Sequence, residues 1–194
     1  MNDSAIIDID WRSFMKTKKL TCGAMCLALA LLLPQAFHLI GMQQAGSTFL
    51  PMHLPVFIGG MLLGPIYGLF LGVFSPLVSC ILTGMPSPHI VIFMMCELAT
   101  YGTISGLLFQ HFDFNKKKFG ALLSLISAMI AGRIVYGLTI TIATYIFGIP
   151  MGSFEVVLAS TLTGLPGICI QLIFVPILVR ALDKVEFFHM LYVK

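Results

Sequence analysis

Five apolar runs follow one another along this chain, at about residues 19–41, 66–83, 89–110, 119–147 and 156–183, and a sixth run, 53–64, is much shorter. A helix needs about 20 apolar residues, rising 1.5 Å each, to cross a hydrocarbon core of about 30 Å. The runs do not alternate with period two, which excludes a transmembrane barrel. Only 10% of the 194 residues are charged and 58% are hydrophobic, where a soluble domain carries about 25% charge; mean hydropathy is +1.00. The expected fold is therefore all-α: a polytopic membrane protein of six transmembrane helices, the second short and broken.

The cations set an expected orientation. Arg12, Lys16, Lys18 and Lys19 precede the first helix, Lys116, Lys117 and Lys118 separate the fourth from the fifth, and Arg180, Lys184 and Lys194 close the chain. With six helices these segments share one side, and the opposite side has no Lys or Arg. The positive-inside rule then predicts that both termini are cytoplasmic. The expected organisation is a cytoplasmic N-terminal segment at 1–18, a membrane domain at 19–184 and a cytoplasmic tail at 185–194. Asp3, Asp8 and Asp10 stand ahead of any apolar core, so no cleavable signal peptide is expected.

Several function classes are not supported. There is no basic stripe with interleaved aromatics of the kind that binds nucleic acid. No G-x-S-x-G, H-E-x-x-H or phosphate-binding glycine loop is present, so no catalytic residues are assigned, and ATP hydrolysis is not expected in this chain. The five cysteines fall within expected helices, only the loose pair Cys22 and Cys26 has ligand-like spacing and it lacks a partner cluster, so all read as small apolar packers. No metal and no cofactor is expected.

The short run sits in TFLPMHLPVFIGGMLLGPIYG (48–68), which holds Pro51, Pro55, Pro65, four glycines and His53. Proline lacks an amide donor and clashes with the preceding turn. Broken backbone at membrane depth is tolerated where it is buried in protein or lines a wet cavity, and in transporters it points to a binding site. The stretch reads as the wall and mouth of a cavity. The connectors expected outside carry Gln43, Gln44, Ser47, Thr48, His53, Ser87, His89, Ser153 and Glu155, a neutral-polar set suited to a small polar organic ligand. Gly60, Gly64, Gly68 and Gly72 recur every fourth residue, as Gly102 and Gly106 do, which allows close helix packing. Pro65 is expected to interrupt the first of these stripes.

Glu97 in the fourth helix and Arg133 in the fifth are charges at membrane depth, expected at matching heights. A lone charge at a helix centre costs about 2.5–3.5 kcal/mol on insertion scales, and pairing resolves this. Two readings stand: a structural lock between the helices, or a pair that also orients a polar ligand group. Tyr101 and Tyr136 lie one turn from these charges and Gln171 near the middle of the sixth helix, as candidate ligand contacts or as packing. TGLPG (163–167) is expected to loosen the sixth helix.

The chain resembles the substrate-binding S-components of energy-coupling factor (ECF) vitamin transporters. The resemblance runs from about 18 to 183 and is carried by GAMCLALA (23–30), FLPMHLPVFIGGMLLGPIYGLFLGVFSPLVSCILTGMP (49–86), CELATYGTISGLLF (96–109) and LPGICIQLIFVPILV (165–179). It implies a six-helix protein that captures a vitamin or related micronutrient from outside and topples in the membrane to release it. The implied partners are a transmembrane coupling protein and two cytoplasmic ATPases, the lipid bilayer surrounding all but the ATPases. It also implies docking on the coupling protein through small residues spaced A-x-x-x-A, matched by Ala24 and Ala28, which otherwise read as helix packing. In the family the pocket is built from the first outer loop and the outer ends of helices 4, 5 and 6, and the candidate ligand contacts here are Gln44, His53, His89, Glu97, Tyr101, Arg133, Tyr136 and Gln171. LPMHLPV and CELATYG are most similar to pyridoxine-related, pantothenate or cobalamin-precursor members, and no residue pattern chooses among them.

Two other classes compete. A solitary secondary transporter would use Glu97–Arg133 as a proton relay. An intramembrane enzyme would use Glu97 with His53 or His89 as acid and base, but no nucleophile or metal-ligand set accompanies them.

Overall fold

The structure, a computed structural model, describes residues 3–39, 41, 45–112, 114–148 and 154–185. Its helices are α1 (Asp3–Leu39), α2 (Ala45–Phe49), α3 (His53–Leu63), α4 (Pro65–Thr83), α5 (Pro88–Gly106), α6 (Gly120–Tyr145), α7 (Phe154–Thr163) and α8 (Leu165–Asp183). The α5 helix runs on as a π turn at Leu107–His111, and a 3₁₀ turn follows at Phe114–Lys116. Six segments are long and apolar enough to cross a membrane: Lys16–Leu39, Gly46–Leu63, Pro65–Thr83, Pro88–His111, Gly120–Tyr145 and Leu165–Leu182.

Two boundaries differ from the sequence expectation. The first helix begins at Asp3 instead of about residue 19. Charged residues end an apolar run without ending a helix, because Asp, Arg and Lys still form i→i−4 backbone bonds. The sixth helix is divided: α7 stops at Thr163 and α8 starts at Leu165, with Gly164 between them. Pro166 supplies the break, since it has no amide hydrogen to donate to the Leu162 carbonyl one turn back.

The arrangement is inverted relative to a soluble protein. Leu32, Phe70, Phe74, Ile81, Ile130, Ile134 and Phe174 are exposed, while Ser75, Ser105, Ser124, Gln171, His53 and Glu97 are buried. An apolar outer surface is stable against lipid, and polar groups there must be satisfied inside. Threonines follow this rule locally: Thr100, Thr103 and Thr141 each donate to the carbonyl four residues back, which removes a hydroxyl from lipid contact.

The short helix α3 forms the centre of the bundle. Val56, Phe57 and Met61 are fully buried and pack with Leu98 and Tyr101 of α5, Leu125 and Ala128 of α6, and Val175 and Val179 of α8. Glycines bring the surrounding backbones close. A side chain on Gly68 or Gly60 would strike the backbone of Gly102, one on Gly72 the backbone at Leu98–Ala99, and one on Gly106 the backbone of Gly60. Gly60, Gly68 and Gly72 thus all face α5. Gly64, with φ +108°, instead turns the chain between α3 and α4, a conformation a residue with a Cβ rarely adopts.

The ends of the bundle are chemically different. Arg180 of α8 and Lys118 both approach the Phe119 ring ahead of α6, at 5.9 and 5.8 Å. Gln110 at the end of α5 donates to the Met61 carbonyl near the end of α3 at 2.9 Å. The opposite end gathers the close of α1, the α2–α3 connection, the α4–α5 turn and α7, and it holds the cavity.

Candidate functional site

The α2–α3 connection reaches inward because its backbone is fixed on both sides. Leu50 has φ +50°, and its carbonyl accepts a 3.1 Å bond from Nε2 of the buried Gln171 on α8. Phe49 stacks on Phe37 of α1 with ring centroids 5.6 Å apart. This anchoring starts α3 at His53, whose ring is 3% exposed. It lies 5.5 Å from the Tyr101 ring, and Phe57 lies 4.9 Å from that ring on the next turn of α3. Neither His53 nitrogen has a hydrogen-bond partner among the described residues.

Glu97 stands on α5, nine residues beyond Pro88, which is about 14 Å along the axis. Its Oε1 takes a 3.1 Å ion pair from Arg133 Nη1 of α6 and a 2.6 Å hydrogen bond from the Tyr101 hydroxyl. Gly132 makes this geometry possible, because a side chain there would occupy the space of the Tyr101 ring. Arg133 Nη1 also donates to Ser160 Oγ of α7 at 3.4 Å, and Ser160 donates onward to the Val157 carbonyl at 2.9 Å. The guanidinium lies 6.0 Å from the Tyr136 ring. Buried charges are held by pairing and by further hydrogen bonds to the same atoms, and the Tyr101–Glu97–Arg133–Ser160 chain provides both across three helices.

His53, Glu97, Arg133 and Tyr136 form the floor of a cavity of about 720 Å³, within the range that holds a drug-sized ligand. Its walls are Pro34, Gln35 and His38 of α1, Gly46, Ser47 and the Leu50–His53 connection, the α4–α5 turn, Ile90 and Met94 of α5, and Ser160 and Thr163 of α7. The turn is pinned over the cavity by Ser79, whose hydroxyl donates to the Met85 carbonyl at 2.6 Å.

The sequence candidates separate into groups. His53, Glu97, Arg133 and Tyr136 line the cavity, and Tyr101 supports Glu97 from behind. Gln171 is committed to the Leu50 carbonyl and is not a lining residue. His89 is exposed on the first turn of α5, while its neighbours Ser87 and Ile90 do line the cavity. Gln44 lies outside the described residues. Ala24 and Ala28 are both exposed on the outer face of α1. Sequence reasoning missed Ser160, Gly132, Gln35, His38 and Ser79. Gln35 and His38 close an apolar run and signalled a polar helix end. For Ser160 and Gly132 nothing in the local pattern pointed to Arg133 or Tyr101. Among the described residues, no three His, Cys, Asp or Glu side chains gather as a metal site.

A family model described as "ECF transporter, substrate-specific component" matches residues 18–179. Comparison with curated proteins and with solved structures found no match. The matched region contains the cavity floor, the central helix α3, four membrane-crossing segments whole and most of the first and the last. This multi-pass membrane protein therefore belongs to the substrate-specific components of ECF transporters.

Proposed function

We propose that the chain captures a vitamin or related micronutrient from the outer face of the cell membrane and delivers it inward as the S-component of an ECF transporter. The observation that carries the reading is the cavity: a single polar floor of His53, Glu97, Arg133 and Tyr136 under an opening at the end of the bundle opposite the lysine-rich connections. By the positive-inside rule that opening faces outward. His53 and Tyr136 contact the ligand, Glu97 and Arg133 fix the floor's polarity, and Ser47, Ser87 and Thr163 surround the entry.

Energy is supplied by partners. A membrane coupling protein docks on the exposed face of α1 at Ala24 and Ala28, two methyl-sized positions between the exposed Leu20 and Leu32 that leave room for close helix approach. ATP is hydrolysed by two cytoplasmic subunits. The test is reconstitution in proteoliposomes with and without the coupling protein and ATPases, following a small molecule retained by the purified chain. ATP-dependent uptake requiring all partners supports the reading. Uptake by the chain alone, driven by a proton gradient, overturns it in favour of a solitary transporter.

A further inference from the structure

The cavity floor restricts the charge of what binds there. Glu97 and Arg133 are the charged residues among the described lining groups, and they are already paired at 3.1 Å. A ligand carboxylate or phosphate placed against them would set two anions around one cation. A ligand ammonium would set two cations around one carboxylate. Either ion would lose its water in a site whose compensating charge is taken. An uncharged polar group meets no such conflict.

The unsatisfied hydrogen-bonding positions at the floor are buried and mixed in kind. Glu97 Oε1 serves both Tyr101 and Arg133. Arg133 Nε is buried and unpartnered, and so are both nitrogens of His53. A neutral imidazole offers one donor and one acceptor, a carboxylate oxygen accepts, and a guanidinium donates. A complementary ligand must therefore both donate and accept over a short edge, with an aromatic or aliphatic body against Met52, Ile90 and Met94.

Building on the reading of this cavity as the ligand site, we propose that the ligand's buried end is an uncharged edge bearing an N–H or O–H donor beside a carbonyl or ring-nitrogen acceptor, as in a lactam-type or hydroxy- or amino-substituted nitrogen heterocycle. His53 is the specificity residue that reads this edge. Molecules that can present only a carboxylate or phosphate to the floor are excluded.

The full-length protein in lipid nanodiscs is incubated with yeast extract and washed, and retained small molecules are released and identified by mass spectrometry. The wild type is expected to retain a compound with such an edge. His53→Phe should weaken retention about tenfold or more, the loss expected when a buried donor–acceptor group is removed. His53→Gln, whose amide also donates and accepts, should keep most of it, and thermal unfolding of each variant shows whether it is folded. If the compound also carries a carboxylate or phosphate, its methyl ester or dephosphorylated form is offered as competitor. Competition equal to the parent compound supports an uncharged buried end, and loss of competition overturns the proposal without involving any variant. Equal retention by folded wild type, His53→Phe and His53→Gln also overturns it. If wild type retains nothing above empty nanodiscs, the cavity is not a high-affinity ligand site, and the proposed function fails first.

Discussion

Replacing Arg133 with alanine strands Glu97 at the floor of the cavity. Glu97 is 5% exposed, and once the 3.1 Å pair is gone it keeps the 2.6 Å bond from Tyr101. That bond exists in the parent protein too, so it offsets none of the loss. Removing one partner of a buried pair costs about 3–5 kcal/mol, and a lone charge in a membrane helix about 2.5–3.5 kcal/mol. Since Glu97 can protonate, the lower part of the range applies, about 3 kcal/mol. At about 2–4 °C per kcal/mol for a chain of this size, the midpoint should fall by about 6–12 °C. Glu97→Gln is milder. It leaves Tyr101 an acceptor, and the stranded Arg133 side chain is 18% exposed and keeps Ser160 at 3.4 Å, so about 1–2 kcal/mol is expected. The double variant Glu97→Gln/Arg133→Met contains no charge, retains an acceptor for Tyr101 and fills the volume. It should return to within about 1.5 kcal/mol of the parent. Thermal unfolding in detergent, read with a dye that reacts with thiols as buried cysteines such as Cys22 emerge, measures all three. An Arg133→Ala midpoint within about 2 °C of the parent would refute the pair as a structural element.

Other outcomes follow from the same geometry. Gly102→Ala forces a methyl onto the Gly68 backbone and should cost about 1–3 kcal/mol in thermal stability, whereas Gly46→Ala, where a Cβ meets open space, should be neutral; equal midpoints would remove the close α4–α5 contact. Gln171→Leu orphans the Leu50 carbonyl, and a loss of about 1–3 kcal/mol is expected, together with weaker ligand retention as the cavity wall loosens. Unchanged stability would show that this bond does not hold the α2–α3 connection. Ala24→Trp or Ala28→Trp should abolish reconstituted transport and leave ligand retention by the isolated chain intact, and a parallel fall in both would make these residues packers only. A cysteine at Lys117 should resist an impermeant thiol reagent added to intact cells, one at Ser47 should react, and the reverse pattern would invert the assigned orientation.

The sequence by itself determined the fold class, because apolar run length against bilayer thickness admits few alternatives. It also determined that the second span is interrupted, from Pro51, Pro55 and Pro65, and that the sixth helix is weakened near TGLPG, from the same covalent property of proline; that it divides into two helices there was decided by the tertiary structure. The Glu97–Arg133 pairing was legible for an energetic reason: two opposite charges at similar depth in lipid have few other ways to be satisfied. Only the tertiary structure decided which polar residues share the cavity. Gln171 and Tyr136 look alike as polar groups within apolar helices, yet one is spent on the Leu50 carbonyl and the other faces the cavity. The difference lies in helix rotation and tilt, which depend on close contacts such as Gly68 against Gly102 and Gly132 against Tyr101. Ser160 reaches Arg133 across 27 residues of chain only because α7 folds back beside α6 before the chain breaks again at Gly164. Periodicity along one helix carries no information about a partner on another, so those contacts emerge from packing alone.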